Sequence, residues 1–202
     1  MKLVIDILMF ILMLLEFSRA YMNPLLHEIF GIILLLLVII HLILNRNYIK
    51  NILNGKYNIK RIIMLLINIL FMISFILSSI FGILSSQNLL TFLNIGNMNI
   101  ISLHKIFAYI SILFMSMHLG INFNIMFGKL EKKINNKLLW IIKIIIIVFG
   151  IYSFIHLDFL NHLIGKYGFG IVTGNIIINI LGYLSIVISI SIITNIIYKK
   201  IK

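Results

Sequence analysis

Long runs of apolar residues, separated by short polar segments, make up almost the whole of this 202-residue chain. Six of these runs reach the length of about 18 or more mainly apolar residues that an α-helix needs to cross a bilayer. Asn23 and Pro24, just before the second run, suit the N-cap and the first turn of a helix. The pattern predicts an all-α fold with one domain over residues 1–202, a polytopic membrane bundle of six transmembrane helices. The predicted spans cover residues 3–21, 25–44, 62–84, 100–121, 138–155 and 176–197.

The first run admits a second interpretation. A basic residue at its start and the small-residue segment 18–20 at its end are also parts of a secretory signal peptide. Asp6 and Glu16 interrupt the run, which is long for the apolar region of such a signal, and therefore a retained helix is expected. Glu16 lies three positions before Arg19, a spacing that suits a neutralising ion pair on a helix.

Composition supports a membrane protein. The chain is 62% hydrophobic and only 11% charged, with a mean hydropathy of +1.17, whereas soluble domains contain about a quarter charged residues. Cysteine is absent, which excludes disulfides, thiolate-bound iron–sulfur clusters and covalent c-type haem attachment. Any redox cofactor must therefore be held by histidine or methionine, or be brought by a partner.

The net charge of +12 reflects topology rather than nucleic-acid binding, because the basic residues lie in the short segments between the apolar runs. When these segments are assigned alternately to two sides, 13 of the 17 Lys and Arg residues lie on one side. Arg19, Lys105 and Lys166 lie on the other side, and Lys143 lies within the fifth run. The positive-inside rule then predicts both termini in the cytoplasm and a location in the cytoplasmic membrane.

Two of the runs carry a histidine at each end. His27 and His41 bound the second run, His104 and His118 bound the fourth, and both pairs are 14 residues apart. On an α-helix 14 residues rise about 21 Å and fall about 40° short of four full turns. The two imidazoles of each run therefore project from nearly the same face, toward the two edges of a hydrocarbon core about 30 Å thick.

The topology derived from Lys and Arg alone makes these two spans parallel, so that the histidines share two levels. His27 and His104 lie at the outer level, and His41 and His118 at the inner level. Imidazole is a neutral nitrogen donor that ligates iron without adding charge to a low-dielectric site. The arrangement predicts two haem b groups, each bound axially by one histidine from each span.

Other residues near these positions have two interpretations each. Gly31 and Ser111 lie on the histidine face and are small enough to let a macrocycle approach the backbone, although ordinary helix packing explains them equally well. Arg19, Lys105 and Arg46 are candidate contacts for haem propionates, but snorkelling to lipid headgroups is an equal alternative.

Two further histidines, His156 and His162, follow the fifth span. They are six positions apart, about 240° around a helix, and cannot share one face. His156 is a candidate outer ligand or docking residue, and an interfacial histidine in contact with solvent is the alternative. The segment from His156 to Asn175 is expected to lie in the membrane interface.

The histidine runs resemble a known family. The motifs ISLHKIFAY at 101–109 and HLGIN at 118–122, together with His27 and HLILN at 41–45, resemble the small bacterial flavinylation-associated cytochromes, which are related in pattern to ferric-reductase-like and cytochrome b membrane proteins. The resemblance covers about residues 3–122. It implies a dihaem membrane cytochrome that works with extracytoplasmic proteins bearing covalent flavin, and it implies His27, His41, His104 and His118 as the haem ligands.

The predicted function is transmembrane electron transfer, from quinol or a cytoplasmic donor to an extracytoplasmic flavoprotein, as one component of an oxidoreductase system. The polar segments are too short for the flavin and nicotinamide domain of ferric reductases, so direct NADPH or iron chemistry is not expected. A transporter or permease that binds metal ions or protons with its histidines is the alternative, and it predicts broken helices near the midplane. A haem-bearing membrane anchor for another redox subunit is a third hypothesis.

Overall fold

The computed structural model describes residues 2–52, 54, 56–123, 128, 133–166 and 174–201. These residues form helices and connecting segments, without a strand among them. We number the α-helices in chain order as α1 Lys2–Glu16, α2 Pro24–Leu44, α3 Arg46–Lys50, α4 Ile59–Leu84, α5 Met98–Ile121, α6 Asn136–His156, α7 Phe159–Leu163 and α8 Ile176–Lys200. The predicted all-α class is confirmed.

Five helices, α2, α4, α5, α6 and α8, are long and apolar enough to cross a membrane. They match the predicted spans from the second to the sixth to within three residues at each end. The first predicted span differs. Helix α1 has 15 residues, which is about 22 Å of helix, and the chain then continues through a 3₁₀ turn at Arg19–Tyr21. A membrane crossing by α1, which would make the number of spans six, and the side on which the termini lie stay predictions.

An asparagine caps the N-terminus of each of these five long helices. The side chain of the residue just before the helix accepts a hydrogen bond from a backbone N–H in the first turn in each case. This bond satisfies a donor that the helix itself leaves without a partner. The predicted start of the second span, an Asn cap followed by proline, is confirmed. The five capping residues are Asn23, Asn58, Asn97, Asn135 and Asn175.

Small residues bring α8 close to α5 and α6. A Cβ at Gly150 on α6 would lie 2.8 Å from the backbone oxygen of Ser185 on α8. The hydroxyl of Ser191 donates to the Ser116 oxygen at 2.8 Å, and the Asn195 amide donates to the Gly120 oxygen at 3.0 Å. Close backbone approach with polar cross-links is how membrane helices associate where lipid removes the hydrophobic driving force.

Helix α5 packs between α4 and α8, and α6 packs along α8, whereas α2 packs mainly along α1. The buried core lies mainly on α5 and α8 and also takes in Met13 and Leu14 of α1. Only Leu34 of α2 is buried. Helix α2 therefore lies at the edge of the bundle, and its histidines reach toward α5 from a helix that does not pack its backbone closely there. The short helix α7 follows α6 and lies within the predicted interfacial segment. Residues 167–173 of that segment lie outside the described residues. The same holds for Lys129 and Lys132 of the basic segment before α6.

Candidate functional site: two histidine pairs between α2 and α5

The first histidine of α2 faces the first histidine of α5. The ring centres of His27 and His104 are 6.0 Å apart, and the ring planes are inclined by 74°. At the other end of the same helices, His41 lies close enough to His118 for its charge to act on that ring. The two helices therefore run in the same direction with their histidines at matching levels, which is the register that the sequence predicts.

The outer separation suits two nitrogen ligands on opposite sides of one metal ion. Bonds from a metal to imidazole nitrogen are about 2.0–2.1 Å long, so two such bonds account for about 4 Å between the nitrogens. The distance from each ring centre to its own nitrogen adds roughly the remainder of the 6.0 Å measured between the ring centres of His27 and His104.

Helix α4 fixes the two histidines of α5. The Nδ1 of His104 lies 2.8 Å from the backbone oxygen of Ser78, and the Nδ1 of His118 lies 2.7 Å from Oδ1 of Asn68. Gly82 leaves room for the outer ring, because a Cβ there would lie 3.1 Å from two atoms of His104. Both acceptors belong to the helix that forms an antiparallel hairpin with α5.

Helix α1 supplies an acidic group to each histidine of α2. The Nδ1 of His41 lies 2.7 Å from Oδ1 of Asp6 in a hydrogen bond. The Nδ1 of His27 lies 2.8 Å from Oε2 of Glu16, which is an ion-pair distance at an angle outside that of a hydrogen bond. Among the described residues, the His27 Nδ1 therefore has no hydrogen-bond partner, and neither has the other carboxylate oxygen of Glu16, Oε1. Glu16 thus approaches His27, not Arg19 as its spacing in the sequence suggested.

All four Nδ1 atoms therefore face an oxygen acceptor on a neighbouring helix. An acceptor at Nδ1 favours the tautomer that carries its proton there, and the lone pair is then on Nε2. Metal-binding histidines in proteins are held in this way by a carboxylate or a carbonyl group, which fixes both the tautomer and the ring orientation. His41 has one additional neighbour, since Nδ2 of Asn45 lies 3.3 Å from its Nε2 and also donates at 2.9 Å to its backbone oxygen.

Two basic side chains lie near the outer histidine pair, His27 and His104. Lys105 and Arg19 are close enough for their charges to act on His104; Arg19 is exposed and Lys105 is partly buried. Arg46 is exposed at the start of α3, next to the inner end of α2. These positions agree with the levels expected for the three residues, and their contact with propionates stays a prediction.

The two small residues on the histidine faces have different surroundings. Ser111, midway along α5, is buried, and its hydroxyl has no hydrogen-bond partner in the part of the chain that the structure describes. Gly31 lies beside Glu16, whose Oε2 would be 3.7 Å from an added Cβ, an ordinary contact. Gly31 is therefore not required by close packing against the protein.

A polar clasp joins α2 to the segment between α4 and α5. The carboxylate of Glu28, adjacent to His27, accepts hydrogen bonds from three successive backbone N–H groups and two side chains at 2.7–3.2 Å. The clasp ties the outer end of α2 to the hairpin that carries His104. The five donors are the Gln87, Asn88 and Leu89 backbone N–H groups, the Ser86 hydroxyl and the Asn88 side chain.

His156 and His162 contact other groups. His156, at the end of α6, is exposed and stacks on Tyr152 with ring centres 5.5 Å apart. His162 on α7 stacks on Tyr109 at 4.6 Å with planes inclined by only 12°. Burial lowers the pKa of His162, and the charge of Lys105 lowers it further. The structure gives neither histidine a place in the two pairs.

The ring separation at the outer level fits a haem, and the inner level offers the same two donor groups. Each pair offers two imidazoles held from behind, and the buried hydroxyl of Ser111 lies between the levels without a partner in the described chain. A bare metal ion would need more protein ligands, and the described residues contain no group of three or more His, Asp and Glu side chains arranged to hold one.

Sequence reasoning missed the groups behind the rings. Asp6 and Glu16 are the acidic residues within the first apolar run, and Asn68 is an amide within another, so polar residues inside apolar runs were the available signal. The Ser78 contact is made by a backbone oxygen and has no such signal. Comparisons of the chain with protein-family models, curated proteins and solved structures find no match.

Proposed function

We propose that this protein is a dihaem b-type cytochrome that passes electrons across the cytoplasmic membrane. The observation that carries the proposal is the set of four histidines in two levels between α2 and α5, each with Nδ1 facing an oxygen acceptor. One such histidine has many explanations in a membrane helix, such as a cross-helix hydrogen bond. Four histidines at two matching levels, each with an oxygen within 2.8 Å of its Nδ1, favour ligation.

In this proposal His27 and His104 bind the outer haem, and His41 and His118 bind the inner haem. Haem b supplies one-electron exchange between ferric and ferrous iron when bound. Two imidazoles on each iron would leave no open position, which would favour electron transfer over oxygen binding. Its partners at Nδ1 hold the rings in the ligating tautomer.

The proposed path connects the two histidine levels, which are separated by about 21 Å along each helix. With six spans and both termini in the cytoplasm, as the loop charges predict, electrons would enter at the inner level from quinol or a cytoplasmic donor. They would leave at the outer level to an extracytoplasmic flavoprotein. The reduction potentials of these partners, and not the protein itself, would set the direction.

The continuity of the helices weighs against the transporter alternative. Secondary transporters bind their substrates near the membrane midplane at helices that are interrupted there. Helices α2 and α5 run without a break through the described residues, and their histidines lie in the first and last turns or close to them. The geometry thus favours a cofactor near each leaflet over a central binding site.

Replacement of single histidines tests the pairing. His41→Ala and His118→Ala should each abolish the same haem, and His27→Ala and His104→Ala should each abolish the other, as measured by haem content and the reduced-minus-oxidised spectrum. His156→Ala is the matched control, because this histidine is exposed at a helix end, and it should retain both haems. Two variants of one pair that remove different haems would contradict the proposal.

A further inference from the structure

We propose that Asp6 and Glu16 lower the reduction potentials of the two haems by holding one axial histidine of each with a carboxylate. The inference rests on the proposed function and concerns regulation of the same sites. Among the described residues, the ion pairs of these two carboxylates are with α2, through His41 and His27. The histidines of α5 instead meet neutral oxygens. Each haem is therefore expected to have one carboxylate-held and one carbonyl-held ligand.

The difference between the two kinds of acceptor is chemical. The Asp6 carboxylate attracts the Nδ1 proton of His41 more strongly than an amide or peptide oxygen does, since charge-assisted hydrogen bonds are about twice as strong as neutral ones. The Glu16 carboxylate lies 2.8 Å from the Nδ1 of His27 outside hydrogen-bond geometry and attracts that proton through its charge. The imidazole then becomes a more basic ligand. A more basic ligand stabilises ferric over ferrous iron, so the haem becomes harder to reduce.

The two carboxylates should differ in the size of their effect. The side chains of Glu16 and His27 are 15% and 19% exposed, whereas those of Asp6 and His41 are 43% and 30% exposed. Water screens a charge more strongly where it has access. Removal of the Glu16 charge should therefore change the outer potential more than removal of the Asp6 charge changes the inner one.

Asn68 allows the same test with the opposite sign. Its Oδ1 accepts from His118 at 2.7 Å, and its amide donates to the Tyr48 hydroxyl at 2.9 Å. In Asn68→Asp this hydroxyl can rotate and donate to the new carboxylate. The substitution adds a charge behind the second ligand of the inner haem and removes no heavy atom from the site.

The experiment is a redox titration of the purified, haem-loaded protein at one pH, with each haem assigned by the variant that lacks it. Glu16→Gln should raise the outer potential, and Asp6→Asn should raise the inner potential by less. Asn68→Asp should lower the inner potential, and the Asp6→Asn/Asn68→Asp double variant should lie near the wild type. A tenfold change in ferric-to-ferrous preference corresponds to about 59 mV, and the Glu16 effect should reach at least that size.

Asp158→Asn is the control for general charge. Asp158 is exposed and immediately precedes α7, which packs on α5 through His162 and Tyr109, and asparagine tolerates the left-handed backbone of this position. An outer potential that moves as much in this variant as in Glu16→Gln would reduce the effect to general charge and overturn the inference.

The remaining outcomes are decisive as well. Unchanged potentials in both Glu16→Gln and Asp6→Asn, with both haems bound, would refute the role of the carboxylates and leave the cytochrome intact. If either variant loses a haem, Asn68→Asp decides, because a potential that stays or rises there contradicts the inference. A wild-type protein without haem would instead overturn the proposed function itself.

Discussion

Glu28 should be the main polar connection between α2 and the α4–α5 hairpin at the outer level, and its replacement by glutamine tests this directly. Glutamine keeps one acceptor oxygen, which can serve the Gln87 and Asn88 donors. Its NH₂ group then faces the backbone N–H of Leu89, which in the wild type donates to Oε2 of Glu28 at 2.7 Å. The Ser86 hydroxyl can turn to accept from this NH₂, but a backbone N–H cannot.

The expected cost follows from that one lost bond. Hydrogen bonds to charged groups contribute about 1.5–3 kcal/mol each, and the other donors of the clasp keep glutamine or water as partners. Since 1.4 kcal/mol is a factor of ten, amide hydrogens in residues 86–89 should exchange roughly 10- to 100-fold faster in Glu28→Gln, when they exchange by local opening.

Hydrogen–deuterium exchange measured by mass spectrometry provides the assay. Peptides from 85–97 should show the acceleration, and peptides from the central helix α8 should exchange as in the wild type. Gln87→Ala is the control, because the described contacts of Gln87 with the clasp are made by its backbone. Equal exchange of 85–97 in Glu28→Gln and the wild type would show that the clasp does not hold this segment.

Two further substitutions test single contacts. Burial lowers the pKa of His162 below its ordinary value of 6.5. As the pH falls, the unfolded chain therefore binds a proton at this histidine before the folded protein does. The contribution of the neutral His162 to the free energy of unfolding is thus present above pH 6.5 and lost below it. His162→Asn should thus show a smaller fall in Tm between pH 7.5 and about 5. Gly82→Ala should displace the His104 ring, with a Cβ 3.1 Å from it, and reduce outer haem content, whereas Gly31→Ala should retain it.

The sequence predicts the levels of the histidines because periodicity and charge are local signals. The 14-residue spacing places His27 and His41 on one face of their helix, and the loop charges make this helix parallel to that of His104 and His118. The structure brings His27 and His104 together as expected. The haem itself, the membrane crossing by α1 and the side of the membrane on which the termini lie stay predictions.

The contacts behind the rings could not be read in the same way, because they depend on which helices pack together. Asp6 and Glu16 are ten positions apart, whereas the histidines that they contact are 14 apart, so neither spacing predicts the other. Helix α1 reaches both levels only because it lies antiparallel along α2. Of the five acidic residues in the chain, three contact α2 or connect it to its surroundings, a role that emerges only in three dimensions.

The haem content of the purified protein, together with its dithionite-reduced minus oxidised spectrum, tests the central claim most directly. Two haems per chain are expected, with the sharp α-band of low-spin iron on reduction, since both axial positions of each iron would be filled by imidazole. A colourless protein after expression with sufficient haem, or a spectrum of high-spin iron with an open axial position, would contradict the account.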